Sequence, residues 1–158
     1  MRKMTPFLWY DGNVAEAMEL YRSVFPGSRV LSTIPGPNGS LMSATFDLDD
    51  QRCIAFNGGP RLKLTPAVSM YVNCETQAEV DELWQKLTEG GAESQCGWLV
   101  DRFGLSWQII PSILPKLLGD PDREKAGRAM NAMLKMKKID IAALERAAAG
   151  EGANSGSR

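Results

Sequence analysis

The chain has 158 residues, with 18 Lys and Arg against 19 Asp and Glu, and its net charge of −1 gives no electrostatic footprint for nucleic acid or an anionic membrane. No apolar run approaches the roughly 18 residues of a membrane span. The sequence contains no histidine, which excludes Ser-His and Cys-His dyads and histidine-rich zinc or iron sites. We therefore expect a soluble protein with neither a nucleic-acid partner nor a membrane partner.

The first half of the chain predicts a strand, a helix and three further strands. Phe7 to Tyr10 is a short aromatic strand, and a turn at Asp11-Gly12-Asn13 leads into a helix from Val14 to Phe25 that Pro26-Gly27 ends. Turn residues separate the later strands, which indicates antiparallel hairpins. These three strands are predicted at residues 29–34, 41–48 and 52–56.

The same order of elements then repeats. A strand from Ala67 to Asn73 precedes a helix from Gln77 to Thr88, and strands follow at 95–100 and 105–110. A shift of 63 residues places Glu16 on Glu79 and Leu20 on Leu83, which matches the apolar stripes of the two helices. The fold class is predicted as α+β, with two βαβββ modules forming a curved mixed sheet around a concave cavity.

The remainder of the chain predicts a helical extension. Asp120-Pro121 begins a helix through Leu134, and a shorter helix runs from Ile139 to Ala149. Three methionines on this segment, at positions 130, 133 and 136, favour packing on the sheet or on another subunit over contact with a flexible ligand. We expect one domain over 1–147, with modules at about 4–57 and 66–110, an extension at 111–147 and a disordered tail at 148–158.

Three stretches carry a family resemblance. They are Phe7–Asn13 with Glu16-Ala17, the loop Gly58-Gly59-Pro60, and the segment from Gln95 to Gln108. The chain resembles, over about residues 4 to 147, the PhnB-like, glyoxalase-related branch of the vicinal oxygen chelate superfamily. Relatives in this branch are often labelled demethylubiquinone methyltransferases, and the resemblance implies a pairing of subunits into a homodimer.

The resemblance also implies a divalent metal held by His and Glu from both modules, and here the sequence departs from the family. The His positions fall at or near Met4 and Ala67, and the glutamate position falls at Gln108. The strands offer only Phe56, Ser69 and Tyr71 as further candidates near these positions. We therefore expect neither a conventional metal centre nor another cofactor.

The ligand site is predicted on the concave face. Alternation puts Ser106, Gln108 and Ile110 on one face of the last strand, while Leu105, Trp107 and Ile109 face the helices as core. Gln108 either orients a ligand or satisfies buried backbone groups. The candidate ligand-binding residues are Gln108, Tyr10, Tyr71, Ser69, Trp98 and Cys96.

Cysteine usage bears on both the site and the compartment. Cys53, Cys74 and Cys96 are an odd number at wide spacings, so we expect reduced thiols in a cytoplasmic protein. Cys96, beside Gly97-Trp98, is either a nucleophile or ligand contact, or a small buried apolar group; the second interpretation is favoured.

Three functions remain open at this point. The leading hypothesis is a small-molecule-binding protein of the glyoxalase fold. The alternative is an enzyme of that fold, a lyase, isomerase or dioxygenase type, with an atypical metal site or none, whose catalytic residues the sequence leaves unknown. A methyltransferase is disfavoured because no Gly-rich strand-to-helix loop offers an S-adenosylmethionine site.

Overall fold

The structure, a computed structural model, describes residues 3–151. The chain forms two compact units. The first contains residues up to Val68 together with Phe103–Leu105, and the second contains Ser69–Arg102 together with the residues from Ser106 onward.

The first unit is a four-stranded mixed sheet with one helix. Its elements in chain order are β1 (Phe7–Tyr10), α1 (Val14–Val24), β2 (Arg29–Pro35), β3 (Leu41–Leu48) and β4 (Gln51–Asn57), with a short 3₁₀ turn at Pro37–Gly39 between β2 and β3. The strands lie in the order β1-β4-β3-β2, and β1 runs parallel to β4 while the other pairs are antiparallel.

Alternation along the strands places the core of this unit between the sheet and α1. Leu8, Tyr10 and Phe46 are buried on the sheet, and Ala17 and Tyr21 are buried on the helix. The opposite sheet face stays open. On it the Phe7 ring, 58% exposed, lies 5.5 Å from the Phe56 ring, which also packs edge-on against Trp9.

The second unit repeats this topology. Its elements are β5 (Ser69–Cys74), α2 (Gln77–Thr88), β6 (Ala92–Glu93), β7 (Trp98–Val100) and β8 (Ser106–Pro111). The strand order is β5-β8-β7-β6, with β5 parallel to β8, so each position corresponds to one in the first sheet. The predicted α+β class with two βαβββ modules is confirmed.

Three helices complete the second unit. They are α3 (Ile113–Leu118), α4 (Arg123–Met133) and α5 (Ile141–Ala148). Asp122 caps α4 through backbone N–H groups of Glu124 and Lys125, and Asp140 caps α5 in the same way. Their buried faces form one apolar cluster with the end of β8, comprising Ile110, Leu114, Leu117, Ala129, Ile139, Leu144 and Ala148.

Several predicted boundaries shift. Residues 95–97 do not belong to β7, because Cys96 and Gly97 have left-handed backbones with φ of 59° and 84° and break the strand. The two-residue strand β6 was not predicted, and β5 begins at Ser69 rather than Ala67. Helix α4 begins after Asp122 rather than at Asp120-Pro121, since Asp122 provides the cap.

The predicted tail at 148–158 falls mainly beyond the described residues. Ala148 is still helical and ends α5, while residues 152–158 lie outside the described part. The predicted single domain over 1–147 stays a prediction. No helix within residues 3–151 is long and apolar enough to cross a bilayer.

An ion triad on the first sheet makes folding stability sensitive to acid. Arg52 Nε lies 2.9 Å from Asp47 Oδ1 and Arg29 Nη2 lies 3.3 Å from Asp47 Oδ2. The hydrogen bond from Arg52, aided by Arg29, holds the pKa of Asp47 below its usual range. The stability that this carboxylate contributes is therefore present above its unfolded-state pKa of about 4 and is lost as pH falls through the lower folded-state value.

Urea unfolding between pH 6 and pH 2 checks this expectation. The difference in unfolding free energy between wild type and Asp47→Asn should be largest near neutrality and should shrink as the solution is acidified. A difference that stays constant across this range would show that the triad does not couple to folding.

Candidate functional site

The centre of the open face on the second sheet is Gln108 of β8. In the strand register Gln108 lies opposite Trp98 on β7 and opposite Tyr71 on β5. Directly paired residues project to the same side of a sheet, so the three side chains share one face.

The opposite face of the same strands is core. Leu99, Trp107 and Ile109 are each at most 1% exposed, and these strands pack against α2. The Trp107 indole Nε1 donates to Asp101 Oδ2 at 2.9 Å. The facing predicted for Trp107 and Ile109 is therefore the one observed.

A pocket of about 260 Å³ opens on the Gln108 side. Four of the predicted ligand-binding residues line it, namely Tyr71, Cys96, Trp98 and Gln108. A fifth, Ser69, touches the site through its hydrogen bond to Gln108. The remaining lining residues are apolar: Ile110, Leu114, Pro115, Leu118 and Met133.

The polar groups of the pocket are few and uncharged. Gln108 Nε2 donates to Ser69 Oγ at 2.9 Å, while Gln108 Oε1 accepts no hydrogen bond from residues 3–151. The Trp98 indole N–H and the Tyr71 hydroxyl also have no partner within that range. Burial raises the pKa of Tyr71, so its hydroxyl is protonated at neutral pH. The pocket thus offers a ligand the Gln108 Oε1 acceptor, the Trp98 N–H donor and the Tyr71 hydroxyl, which can both donate and accept.

The three thiols have different surroundings. Burial raises the pKa of Cys53 to about 11 and that of Cys74 to about 12, so both are protonated thiols in the core. Cys96 is only partly buried, lines the pocket, and is held by its backbone N–H, which donates to the Met136 carbonyl at 2.8 Å.

The sixth predicted residue, Tyr10, lies elsewhere. It belongs to the first unit, is 2% exposed, and its hydroxyl lies 3.1 Å from the Tyr21 hydroxyl in the core beneath α1. The structure therefore does not bring Tyr10 into the pocket of the second unit.

The residues at the predicted ligand positions do not fit a metal. Met4 is 88% exposed before β1, and Ala67 precedes β5 with no donor side chain. No group of three His, Cys, Asp or Glu side chains within the described range could hold an ion, and no carboxylate lines the pocket. An amide and a hydroxyl supply no net negative charge to a divalent cation. These positions therefore do not supply a set of ligands for a divalent metal.

Sequence reasoning missed most of the apolar wall. Leu114, Pro115 and Leu118 lie on α3, an element that was not predicted individually. Ile110 was predicted on the same face of β8 as Gln108 by strand alternation, and it does line the pocket. The spacing of the three methionines was the only sequence feature that pointed to Met133.

Comparison with known proteins places the chain in a family. Residues 2–110 match the family model described as 3-demethylubiquinone-9 3-methyltransferase. The chain belongs to this family. No curated protein matches this chain.

Solved structures agree with this membership. A PhnB protein from Bacillus cereus, described as a putative 3-demethylubiquinone-9 3-methyltransferase, is 32% identical with a TM-score of 0.66, over 70% of this chain and 100% of its own. Protein PA1353 from Pseudomonas aeruginosa is 22% identical with a TM-score of 0.59, over 70% and 98% of the two chains.

A more distant structure shows the same fold. The fosfomycin resistance protein FosX from Listeria monocytogenes, complexed with Mn(II) and sulfate, is 13% identical with a TM-score of 0.53, over 68% of this chain and 90% of its own. The predicted resemblance to PhnB-like proteins is confirmed by the family model and by the Bacillus cereus structure.

Proposed function

We propose that this family member binds a small, planar, mostly apolar molecule in the pocket beside Gln108. The observation that carries the proposal is the composition of that pocket. It combines an indole and a phenol side chain with aliphatic residues, and its polar groups come from Gln108, Trp98 and Tyr71. Ligand sites generally pair an apolar lining with a few placed polar groups.

The chemistry of the lining narrows the ligand. Since no charged side chain lines the pocket, an anionic or cationic group would lose its hydration without compensation. A neutral hydroxyl fits better, because it donates to Gln108 Oε1 and accepts from the Trp98 or Tyr71 donor. The aromatic faces of these two residues suit a planar ring.

We do not propose the methyltransferase activity that the family description names. Within the described residues, the three turns that lead from a strand into an α-helix, at residues 11–13, 75–76 and 112, lack a Gly-rich loop of the kind that holds the S-adenosylmethionine nucleoside. Binding of a neutral molecule requires none of this machinery.

The proposal is tested by comparing the affinities of wild type and of the Gln108→Ala variant for 2-naphthol, a planar molecule with one hydroxyl. Removal of one ligand hydrogen bond of about 0.5–1.5 kcal/mol should weaken binding about 2- to 12-fold. Thermal stability should change little, because Gln108 is only partly buried and bonds only to Ser69. Isothermal titration and thermal melts give the two quantities.

Two controls isolate the hydrogen bond. Naphthalene lacks the hydroxyl, so its affinity should be almost equal for wild type and Gln108→Ala. Gln85→Ala makes the same chemical change on the exposed side of α2 and should leave 2-naphthol binding unchanged. Failure of 2-naphthol to bind wild type, or an equal effect of Gln108→Ala on both molecules, would contradict the proposal.

We also propose that the protein is a symmetric homodimer. Support comes from the open face of the first sheet, where Phe7 and Ile34 are 58% and 51% exposed and Phe56 adds an aromatic ring. Exposed apolar side chains that share one face of a sheet commonly mark an interface. Light scattering should give twice the chain mass of 17.3 kDa, and a Phe7→Asp variant should shift the mass toward the monomer. A wild-type monomer throughout the micromolar range would refute the dimer.

A cytoplasmic location is the third part of the proposal. All three cysteines of the chain are unpaired, and two of them are buried in the cores of the units. Unpaired core thiols are typical of proteins from a reducing compartment.

A further inference from the structure

The pocket has two walls of different origin. Tyr71, Trp98 and Gln108 project from the sheet, within the residues that the family model matches. Leu114, Leu118 and Met133 come from α3 and α4, beyond the last matched residue. In addition, the whole Bacillus cereus chain is covered by 70% of this one, so part of this chain has no counterpart there.

The helical wall is fixed to the sheet by hydrogen bonds. The backbone N–H groups of Cys96 and Gly97 donate to the carbonyls of Met136 and Lys137 at 2.8 and 2.7 Å. These bonds hold the segment that follows α4 against the start of β7, where Cys96 itself lines the pocket. The wall is thus held in place where it meets the ligand site.

A second attachment secures the start of α5. Gln77 Nε2 donates to the Ile139 carbonyl at 3.0 Å, and the Ile141 N–H donates to Gln77 Oε1 at 2.8 Å. Ile139 is fully buried in the cluster that α3, α4 and α5 form with Ile110. A wall anchored by both backbone bonds and buried apolar contacts resists displacement by a ligand.

We propose that the C-terminal helices determine ligand specificity at this pocket, and this inference rests on the proposed function. Their contribution is Leu, Pro, Leu and Met, so it offers no hydrogen bond, and the polar edge of a ligand must face Gln108 on the sheet. The apolar edge then lies against Leu118 and Met133. The ligand class is a planar molecule with one polar edge and one bare apolar edge.

The cavity volume sets the size of this class. An enclosed protein cavity of about 150 Å³ holds one benzene ring, so about 260 Å³ matches two fused rings, and four fused rings would extend beyond the lined part of this open pocket. The helical wall sets this limit on ligand size, because the sheet face would be open if Leu114, Leu118 and Met133 did not line the pocket.

A series of hydroxyarenes with one, two and four fused rings measures the size limit. Wild type should bind 2-naphthol more tightly than phenol, and 1-hydroxypyrene at least about tenfold more weakly than 2-naphthol. Met133→Ala and Leu118→Ala remove parts of the helical wall. Each should improve 1-hydroxypyrene binding relative to 2-naphthol by about fivefold or more, as measured by fluorescence titration.

Met130→Ala is the matched control. Met130 lies on the same helix, is 39% exposed and does not line the pocket, so its loss should leave the ratio of the two affinities unchanged. Both Met133→Ala and Leu118→Ala are measured, so that the test can still be made if one of the two variants fails to fold. Cooperative thermal melts identify the variants that are folded.

The outcomes separate this inference from the proposed function. If 2-naphthol binds and Gln108→Ala weakens it, but neither wall variant changes the affinity ratio, the C-terminal helices do not set specificity and the proposed function still stands. If 2-naphthol does not bind wild type, both proposals fail. Tight binding of 1-hydroxypyrene by wild type would refute the size limit alone.

Discussion

Replacement of Trp107 by alanine should lower the free energy of unfolding by about 3–5 kcal/mol, the range observed when a large core side chain is truncated. Trp107 is 1% exposed and packs between the second sheet and α2. The backbone of β8 cannot collapse into the cavity, because it is paired with β5 on one side and β7 on the other. The loss therefore includes a cavity term as well as the transfer of the indole.

Urea unfolding of three variants separates the contributions. Trp107→Phe keeps most of the apolar volume but removes the N–H that donates to Asp101 Oδ2, and it should cost about 1–3 kcal/mol. Gln108→Ala, one residue further along on the open face, should cost much less. If Gln108→Ala destabilised the protein as much as Trp107→Ala, Gln108 would be a structural residue and the proposed site would be wrong.

Gly97→Ala should cost about 2–5 kcal/mol, from a left-handed backbone penalty of roughly 1–2 kcal/mol and overpacking of about 1–3 kcal/mol. Its φ is +84°, and a Cβ there would lie 2.8 Å from Ile110 Cδ1, 3.0 Å from the Ile109 carbonyl oxygen and 3.1 Å from Ile139 Cγ1. The backbone oxygen cannot rotate away. The same residue donates to Lys137, so the substitution should also loosen the helical wall of the pocket.

Gly127→Ala is the control, because the same substitution there should raise the free energy of unfolding and not lower it. Gly127 lies within α4, and a Cβ there would meet no atom within 4 Å. Alanine is preferred over glycine inside a helix by about 0.8–1.0 kcal/mol, so this variant should be more stable than wild type. Equal stabilities of Gly97→Ala and wild type in urea unfolding would show that the turn before β7 can relax.

The sequence predicted the local elements well, because their signals are local. Helix α2 was predicted at its observed bounds, Gln77–Thr88, and β1 and β3 were also correct. Apolar spacing and turn residues determine these segments before any tertiary contact forms. The internal repeat then predicted the topology, because the two copies of the sequence pattern form two sheets with equivalent strand orders.

Features that depend on distant contacts were harder to predict. The break before β7 depends on Cys96, a non-glycine residue in a left-handed conformation. Hydrogen bonds from the N–H groups of Cys96 and Gly97 to the carbonyls of residues 136 and 137 stabilise this conformation. Tyr10 matched the aromatic pattern of a ligand wall, yet its parity on β1 directs it to the core. The part of the wall from α3 arises from packing that the six residues of that helix do not encode by periodicity, and only the methionine spacing pointed to Met133 of α4.

The side chain of Gln77 has a consequence for how this protein folds. Its amide bonds both Ile139 and Ile141, so a residue of the second module completes the backbone bonding of a segment more than 60 positions later. The family match ends at Ile110, but a polypeptide cut there would expose the apolar end of β8 and strand this amide. The end of the family match therefore does not coincide with the end of these contacts, and we expect the C-terminal helices to unfold together with the sheet that they cover.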